Sequence, residues 1–308
     1  MIRTERLIKQ YRRTRALDGV ELNVPEGSVF GFVGPNGAGK TTTIKILATL
    51  LAPTGGEAYI GGIAVTRNPG KVRQLIGYMP DFFGVYDDLR IDEYLDFYGA
   101  SHGLAPVRRR KMADDLLELV DLGAKKGEYV DTLSRGMKQR LCLAQALIHD
   151  PAVLLLDEPA SGLDPRARVE MRELIRELQA MGKTILISSH ILTELAEMCT
   201  HLAIIDAGRV VVSGPVDEVM GRTQGGRVFT VKVLDDPGWA TTVAAQSPGV
   251  KTVTAAAGEL RVVFDGGDEE VAAFLAALVG AGVRVVSLAE ANHRLEDLFL
   301  QVTRGDEG

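Results

Sequence analysis

Residues 29–43 read VFGFVGPNGAGKTTT, and this stretch decides the fold. Its first five residues are apolar or glycine, as in a strand buried on both faces. Gly34, Pro35, Asn36, Gly37, Ala38, Gly39, Lys40, Thr41 and Thr42 then fit the phosphate-loop pattern, with Gly34, Gly39, Lys40 and Thr41 at the required positions. Glycines let the backbone curl so that successive N–H groups converge on one anion. Lys40 adds a point charge for β- and γ-phosphates, and the Thr41 hydroxyl suits a magnesium ion. A buried strand before the loop and a helix after it, read as 41–51, are the context the motif requires. A chance glycine-rich turn is a poor alternative in that setting.

Residues 152–159, AVLLLDEP, supply the complementary half. The apolar run predicts a buried strand that presents Asp157 and Glu158 at its end. In an open α/β sheet ligands bind beyond the carboxyl ends of the strands, which brings both carboxylates near the phosphate loop. Asp157 is then a magnesium residue acting through water, and Glu158 a group that polarises the attacking water. A structural ion pair is the plainer role for Glu158. Pro159 predicts an extended backbone at Glu158.

Strands alternating with helices fill residues 1 to about 220, which implies a mainly parallel sheet covered on both faces. ALDGVELNV near the start predicts short antiparallel strands, and 91–122 a charged helical region broken near Gly103–Pro106. Helices are expected over 165–181 and 191–200. GRTQGGR at 221–227 reads as a linker. Beyond it the order β-α-β-β-α-β predicts a small ferredoxin-like α+β domain over 225–308. A last helix over RLEDLFLQVT carries Leu295, Leu298, Phe299 and Val302 on one side, as for packing against the body of the protein.

The chain has 308 residues, a net charge of −6 and two cysteines, Cys142 and Cys199. A net acidic chain is a poor general nucleic-acid binder, so no nucleic acid is expected as a partner. RRRK at 108–111 reads as a solvated helix face. The cysteines lack metal-ligand spacing and read as buried reduced thiols in apolar helices. No apolar run approaches the ~20 residues that span a bilayer, and the N-terminus lacks a signal-peptide core. A cytoplasmic chain that reaches a membrane only through a partner is expected.

Residues 131–150, DTLSRGMKQRLCLAQALIHD, pose a puzzle. Ser134 and Gly136 at a helix start look like a second anion site, because the first N–H groups of a helix have no intrahelical partner. One phosphate loop leaves no evident use for it. In order, GPNGAGKTT, LSRGMKQR, LLLDEP, SGLD and SSH closely resemble the ATP-binding subunits of ABC transporters over residues 1 to about 220. The resemblance implies a P-loop NTPase of the ABC ATPase type: a mainly parallel sheet, an antiparallel β subdomain, a helical subdomain at about 85–145 and, here, the small C-terminal α+β domain.

The resemblance also resolves the puzzle. Two such subunits meet head to tail, and each ATP lies between the phosphate loop of one and the Ser134 helix of the other. ATP and Mg²⁺ are the implied cofactors, and a homodimer with ATP at its interface is the implied state. Tyr11 matches the aromatic that stacks on adenine; a core aromatic is its alternative. His190 matches the histidine at the γ-phosphate; a structural histidine is its alternative. Asp164 matches the residue that links the two sites, and with Pro165 behind it could also cap a helix.

Two residues depart from the family pattern. Arg135 stands where a glycine is usual, so its side chain must turn from the phosphate or add charge beside it. Asp81 stands where a glutamine is usual. It is expected to reach the metal, or else to serve as a plain turn or helix cap. HRLEDLFLQVT resembles the tail of ATPase subunits in the antibiotic- and drug-efflux branch. The implied function is the ATP-hydrolysing subunit of an exporter, on the inner face of the membrane beneath a separate permease. Phe82, Phe83, Val85 and Tyr86 are the expected docking surface, with burial under the helical region as the competing reading. A soluble ABC-type ATPase acting on DNA or ribosomes, and a regulatory switch, are the alternatives.

Overall fold

The computed structural model describes residues 1–290 apart from 83, 85, 87, 223–226, 235–236 and 257–258. The chain divides into two compact units, Met1–Val216 and Asp217–Gly308. In the first unit, β3 (Val29–Val33), β6 (Ile76–Met79), β7 (Val153–Asp157), β8 (Thr184–Ser189) and β9 (His201–Asp206) run parallel, and β10 (Arg209–Pro215) pairs antiparallel to β9. Their order is β10-β9-β3-β8-β7-β6. Every residue of β3, β7 and β8 is buried, as befits strands covered on both faces.

A second sheet is antiparallel, in the order β2-β1-β4-β5, from β1 (Ile2–Tyr11), β2 (Thr14–Val24), β4 (Gly55–Ile60) and β5 (Ile63–Ala64). The first hairpin is longer than the short strands expected, and it places Tyr11 opposite Thr14 at its turn. Helix α1 (Lys40–Leu47) shares one core with both sheets: Ile44 and Leu47 pack with Leu7, Val20, Phe30 and Phe32. This helix ends four residues earlier than the sequence suggests. Thr49 turns left-handed at φ 63°, and Leu50 N–H donates to Lys45 O at 2.9 Å, a Schellman-type stop.

Helices α2 (Pro69–Leu75), α3 (Ile91–Ser101), α4 (Pro106–Leu119) and α5 (Arg135–Leu147) follow the hairpin sheet, and α3, α4 and α5 pack on one another. In RRRK, Arg109 binds Asp96 at 2.7 Å while Arg108, Arg110 and Lys111 are exposed, a solvated face. Helix α6 (Pro165–Ala180) buries Met171, Leu174, Ile175 and Leu178, one stripe at helical spacing. Helix α7 (Leu192–Ala196) is shorter than the expected 191–200, because Thr200 N–H already donates to Val29 O at 2.8 Å on entry to the sheet. Cys199 therefore lies outside any helix, a correction to the sequence reading, while its thiol packs against Gly31 of β3 and is pushed up by burial. Cys142 is buried in α5, and burial pushes its thiol up to about 12.

Helix α8 (Val216–Arg222) begins at the last residue of the first unit and ends inside the expected linker. Then come β11 (Arg227–Val233), α9 (Pro237–Ala245), β12 (Val250–Ala256), β13 (Glu259–Phe264), α10 (Asp268–Gly280) and β14 (Val285–Glu290). The sheet order is β12-β13-β11-β14 with all neighbours antiparallel. Each helix thus joins two strands that flank a third, the split β-α-β topology. Leu260, Val262 and Phe264 alternate inward along β13 and pack with Phe229, Val231, Phe274 and Leu278. The sequence-predicted tail helix with Leu295, Leu298, Phe299 and Val302 lies outside the described residues.

One histidine pair couples this fold to pH. His149 and His102 stack with centroids 3.8 Å apart. His149 Nε2 lies 2.9 Å from Ile76 O and must donate to it, which leaves its buried Nδ1 without a partner among the described residues. Burial, and then His102, push His149 down to about 4 from its ordinary value of 6.5. Asp150 pulls the other way and Lys183 adds to the depression. The fold therefore binds the neutral ring, and that stability is complete above 6.5 and lost as pH falls through about 4. Between those limits the melting temperature of His149→Phe should fall less than that of wild type, measured by circular dichroism. Equal falls would contradict this role.

Candidate functional site

Strand register assembles the site. Val33 lies opposite Ser189, and Asp157 opposite Ser188, so the segments leaving β3, β7 and β8 start at one edge. The loop after β3 needs its glycines for space and for backbone form. A Cβ on Gly34 would come 2.3 Å from Ile205 O, and Gly39 adopts φ 112° with Leu17 and Ala16 close by. Lys40 is buried and folds back along the loop. Its ammonium donates to Gly34 O at 2.6 Å and Pro35 O at 3.2 Å, and sits 3.4 Å from Glu158 Oε1.

Asp157 is buried at the end of β7. Its Oδ1 accepts from Ser188 Oγ at 2.7 Å and Thr41 Oγ1 at 3.2 Å. Its Oδ2 is buried with no partner among the described residues. Burial raises the Asp157 pKa; the Ser188 and Thr41 hydrogen bonds oppose the rise, and Asp81 and Glu158 add to it. An orphaned carboxylate oxygen beside a threonine hydroxyl is a hard-oxygen donor set, which fits a largely hydrated magnesium ion. Among the described residues no cluster of three His, Cys, Asp or Glu forms a self-contained metal site. Magnesium held partly by a bound phosphate needs none.

The backbone at Glu158 corrects the sequence reading. The residue is not extended but left-handed, at φ 52°. Such a conformation in a non-glycine residue costs about 1–3 kcal/mol and persists only where its surroundings impose it. Here Glu158 N–H donates to Ser188 Oγ at 3.0 Å, and Glu158 O accepts from Ser161 N–H at 3.0 Å. The twist aims the carboxylate back at the loop. Oε2 lies 2.9 Å from His190 Nδ1, and Oε1 faces Lys40. The ion pair offered as an alternative for Glu158 is therefore present, in the same place as the functional one.

A cavity of about 280 Å³ is lined by the loop residues Pro35, Asn36, Gly37, Gly39, Lys40, Thr41 and Thr42 together with Asp81, Glu158, Ser161 and His190. Gly34 and Ala38 support the loop from behind without lining it. Ser188 of SSH and Ser161 of SGLD join the site beyond the residues expected from the motifs. A serine near the ligand edge of an apolar strand was the available signal for Ser188.

Tyr11, Ser134, Gly136 and Asp164 do not line this cavity. Tyr11 is 44% exposed, which excludes the core-aromatic alternative, and Lys9 Nζ lies 5.2 Å from its ring centroid. Ser134 Oγ accepts from Met137 N–H at 3.3 Å and so caps α5. Gly136 faces α6, where an added Cβ would meet Ala167 at 3.4 Å. Asp164 caps α6 by accepting from Ala167 N–H at 3.0 Å, with Pro165 in the first turn. Arg135 turns to its own chain and donates to Ser161 O at 3.1 Å.

Comparison with known proteins follows the same lines. The family model described as ABC transporter matches residues 17–161. A daunorubicin resistance ATP-binding protein of Streptomyces coeruleorubidus is 37% identical over 300 residues, 97% of this chain and 94% of that one. A linearmycin resistance ATP-binding protein of Bacillus subtilis is 32% identical over 98% of each chain. Among solved structures, an ATP-binding subunit of an ABC transporter aligns at 30% identity and TM-score 0.65, over 72% of this chain and 92% of that one. A dimeric, post-hydrolysis ATP-binding cassette bound to ADP and Pi aligns at 26% identity and TM-score 0.65, over 70% and 99%. The chain belongs to the ABC transporter family, as an ATP-binding ATPase subunit of its drug-resistance and export branch.

Proposed function

We propose that two copies of this chain close around two Mg²⁺–ATP and thereby energise export through a separate membrane-spanning permease. One observation carries the reading. Within a single chain, the cavity that gathers Lys40, Thr41, Asp81, Glu158 and His190 does not include the capped helix start at Ser134 and Gly136. A second copy, placed head to tail, would supply that start to the open side of the phosphate. Dimeric neighbours among the solved cassettes support this arrangement. A ligand gripped only in the closed dimer favours closure by mass action.

In this reading Lys40 exchanges its carbonyl partners for the β- and γ-phosphates. Thr41 and Asp157 would hold the magnesium ion with Asp81 nearby, and Tyr11 stacks on adenine. The ion, when bound, neutralises phosphate charge. Glu158, released from Lys40, accepts the proton of the attacking water, and His190 holds its carboxylate in place. Hydrolysis to ADP and phosphate removes the contact to Ser134 and Gly136, and the dimer opens. Asp164 caps its own helix and faces the dimer partner as well.

Export is inferred from the relatives, which include a Nod factor export ATP-binding protein of Ralstonia nicotianae, 34% identical over 98% of this chain and 94% of that one. Among the described residues no helix is long and apolar enough to cross a membrane, so the membrane path is assigned to the permease. Phe82 is 90% exposed and Tyr86 packs edge-on against the exposed Phe97 at 5.6 Å, which supports a docking edge over the buried alternative. Phe83 and Val85 lie outside the described residues.

The Glu158→Gln variant should lose about a hundredfold or more of its ATPase rate. It should also become a stable dimer on adding ATP, read by light scattering. A variant that stays monomeric with ATP bound would sink the proposal. Replacing Asp81 with Gln tests its metal role separately. Loss of the charged oxygen should raise the magnesium concentration at half-maximal ATPase several-fold. An unchanged magnesium titration would reduce Asp81 to a turn residue.

A further inference from the structure

The start of α5 and the turn after Glu158 are tied together within one chain. Arg135 Nη2 donates to Ser161 O at 3.1 Å, and Gln139 Nε2 donates to the same carbonyl at 3.1 Å. Gln139 is 1% exposed. The Arg135 guanidinium lies against Gly162, whose φ is 68°; a Cβ there would come 2.5 Å from its central carbon. From the other side Arg168 Nε donates to Leu163 O at 3.1 Å, and its Nη1 lies 2.9 Å from Glu194 Oε1. The turn is therefore held by α5 on one flank and by α6 and α7 on the other.

The same turn reaches the reacting centre. Ser161 N–H donates to Glu158 O at 3.0 Å, and Ser161 lines the cavity beside Lys40, Glu158 and His190. Two hydrogen bonds through one residue thus separate Arg135 from the backbone of Glu158. That backbone is left-handed, so its form depends on the groups that hold it. A glycine at position 135, the usual family residue, has no side chain to make this tie. Lysine could reach the carbonyl, but with a single ammonium rather than a planar fork.

We propose that Arg135 is a positioning residue for hydrolysis: it clips the start of α5 to Ser161, so that a phosphate held at Ser134 and Gly136 sets the Glu158 carboxylate of the same chain. This rests on the shared-nucleotide reading above. Each chain would then register the grip it gives its partner's ATP in the readiness of its own water-activating group. Arg135 transmits a position and does not touch the phosphate.

Steady-state ATPase of the full chain tests this. Arg135→Ala should lower kcat about tenfold, with KM for ATP within about twofold of wild type, because a charge-assisted tie is lost and no substrate contact is. Arg135→Lys should recover much of kcat. The double variant Glu158→Gln/Arg135→Ala should dimerise at the same ATP concentration as Glu158→Gln alone, measured by light scattering. Wild-type kcat in Arg135→Ala overturns the proposal. So does a raised KM with unchanged kcat, since Arg135 would then be gripping phosphate. Both results leave the dimer reading standing if Glu158→Gln still dimerises. Failure of Glu158→Gln itself to dimerise overturns the two proposals together.

Discussion

Asp157 is a carboxylate taken out of water at the end of a buried strand, and the site is arranged around making that tolerable. One oxygen is satisfied by Ser188 and Thr41, and the other has no partner among the described residues. Burying a charge without a partner is costly. The second oxygen is thus a standing demand for a cation, and Thr41 brings it to the mouth of the phosphate loop. Ser188 does double duty, since its hydroxyl also accepts from Glu158 N–H and helps to hold the left-handed turn. One serine, set opposite Asp157 by the β7–β8 register, thus ties the orientation of the Asp157 carboxylate to the backbone form of Glu158.

Lysine and glutamate at the site are paired within the chain. Lys40 bonds to its own loop and to Glu158, and Glu158 to His190. In the function proposed above, a phosphate that takes Lys40 away would free Glu158 for water, so the Lys40–Glu158 pair would report nucleotide occupancy to the proposed base. The capped starts of α5 and α6 adjoin each other through Gly136, Leu163 and Ala167, and so form a second surface beside the turn 158–164. The relation between the two surfaces, more than either alone, is what suits a machine that opens and closes.

Much of this was legible in the sequence, for a physical reason. Phosphate loops and buried parallel strands obey local rules: glycine where a Cβ cannot fit, apolar runs where both faces are covered. Hence VFGFV, AVLLLD and TILISS, and the carboxylates at their edge, were readable. The β-α-β-β-α-β order was readable because one-sided strands alternate. What escaped was set by tertiary hydrogen bonds. Pro159 suggested an extended Glu158, but Ser188 and Ser161 impose the opposite hand on it. Thr49 ended α1 early, and Thr200 was drawn into the sheet before α7 could lengthen. The direction of Arg135 depends on a glycine 27 positions later, Gly162, which no local pattern reveals.

The central claim is that a working centre is built from two copies. Mixing two crippled variants tests it most directly. Lys40→Ala spoils the phosphate loop, and Ser134→Arg blocks the helix start opposite. Each alone should hydrolyse ATP negligibly. In the mixture, mixed dimers would unite an intact loop from one chain with an intact helix start from the other, and ATPase activity should return in proportion to their share. Mixtures no more active than the separate variants, or a Ser134→Arg chain at full activity on its own, would contradict the account.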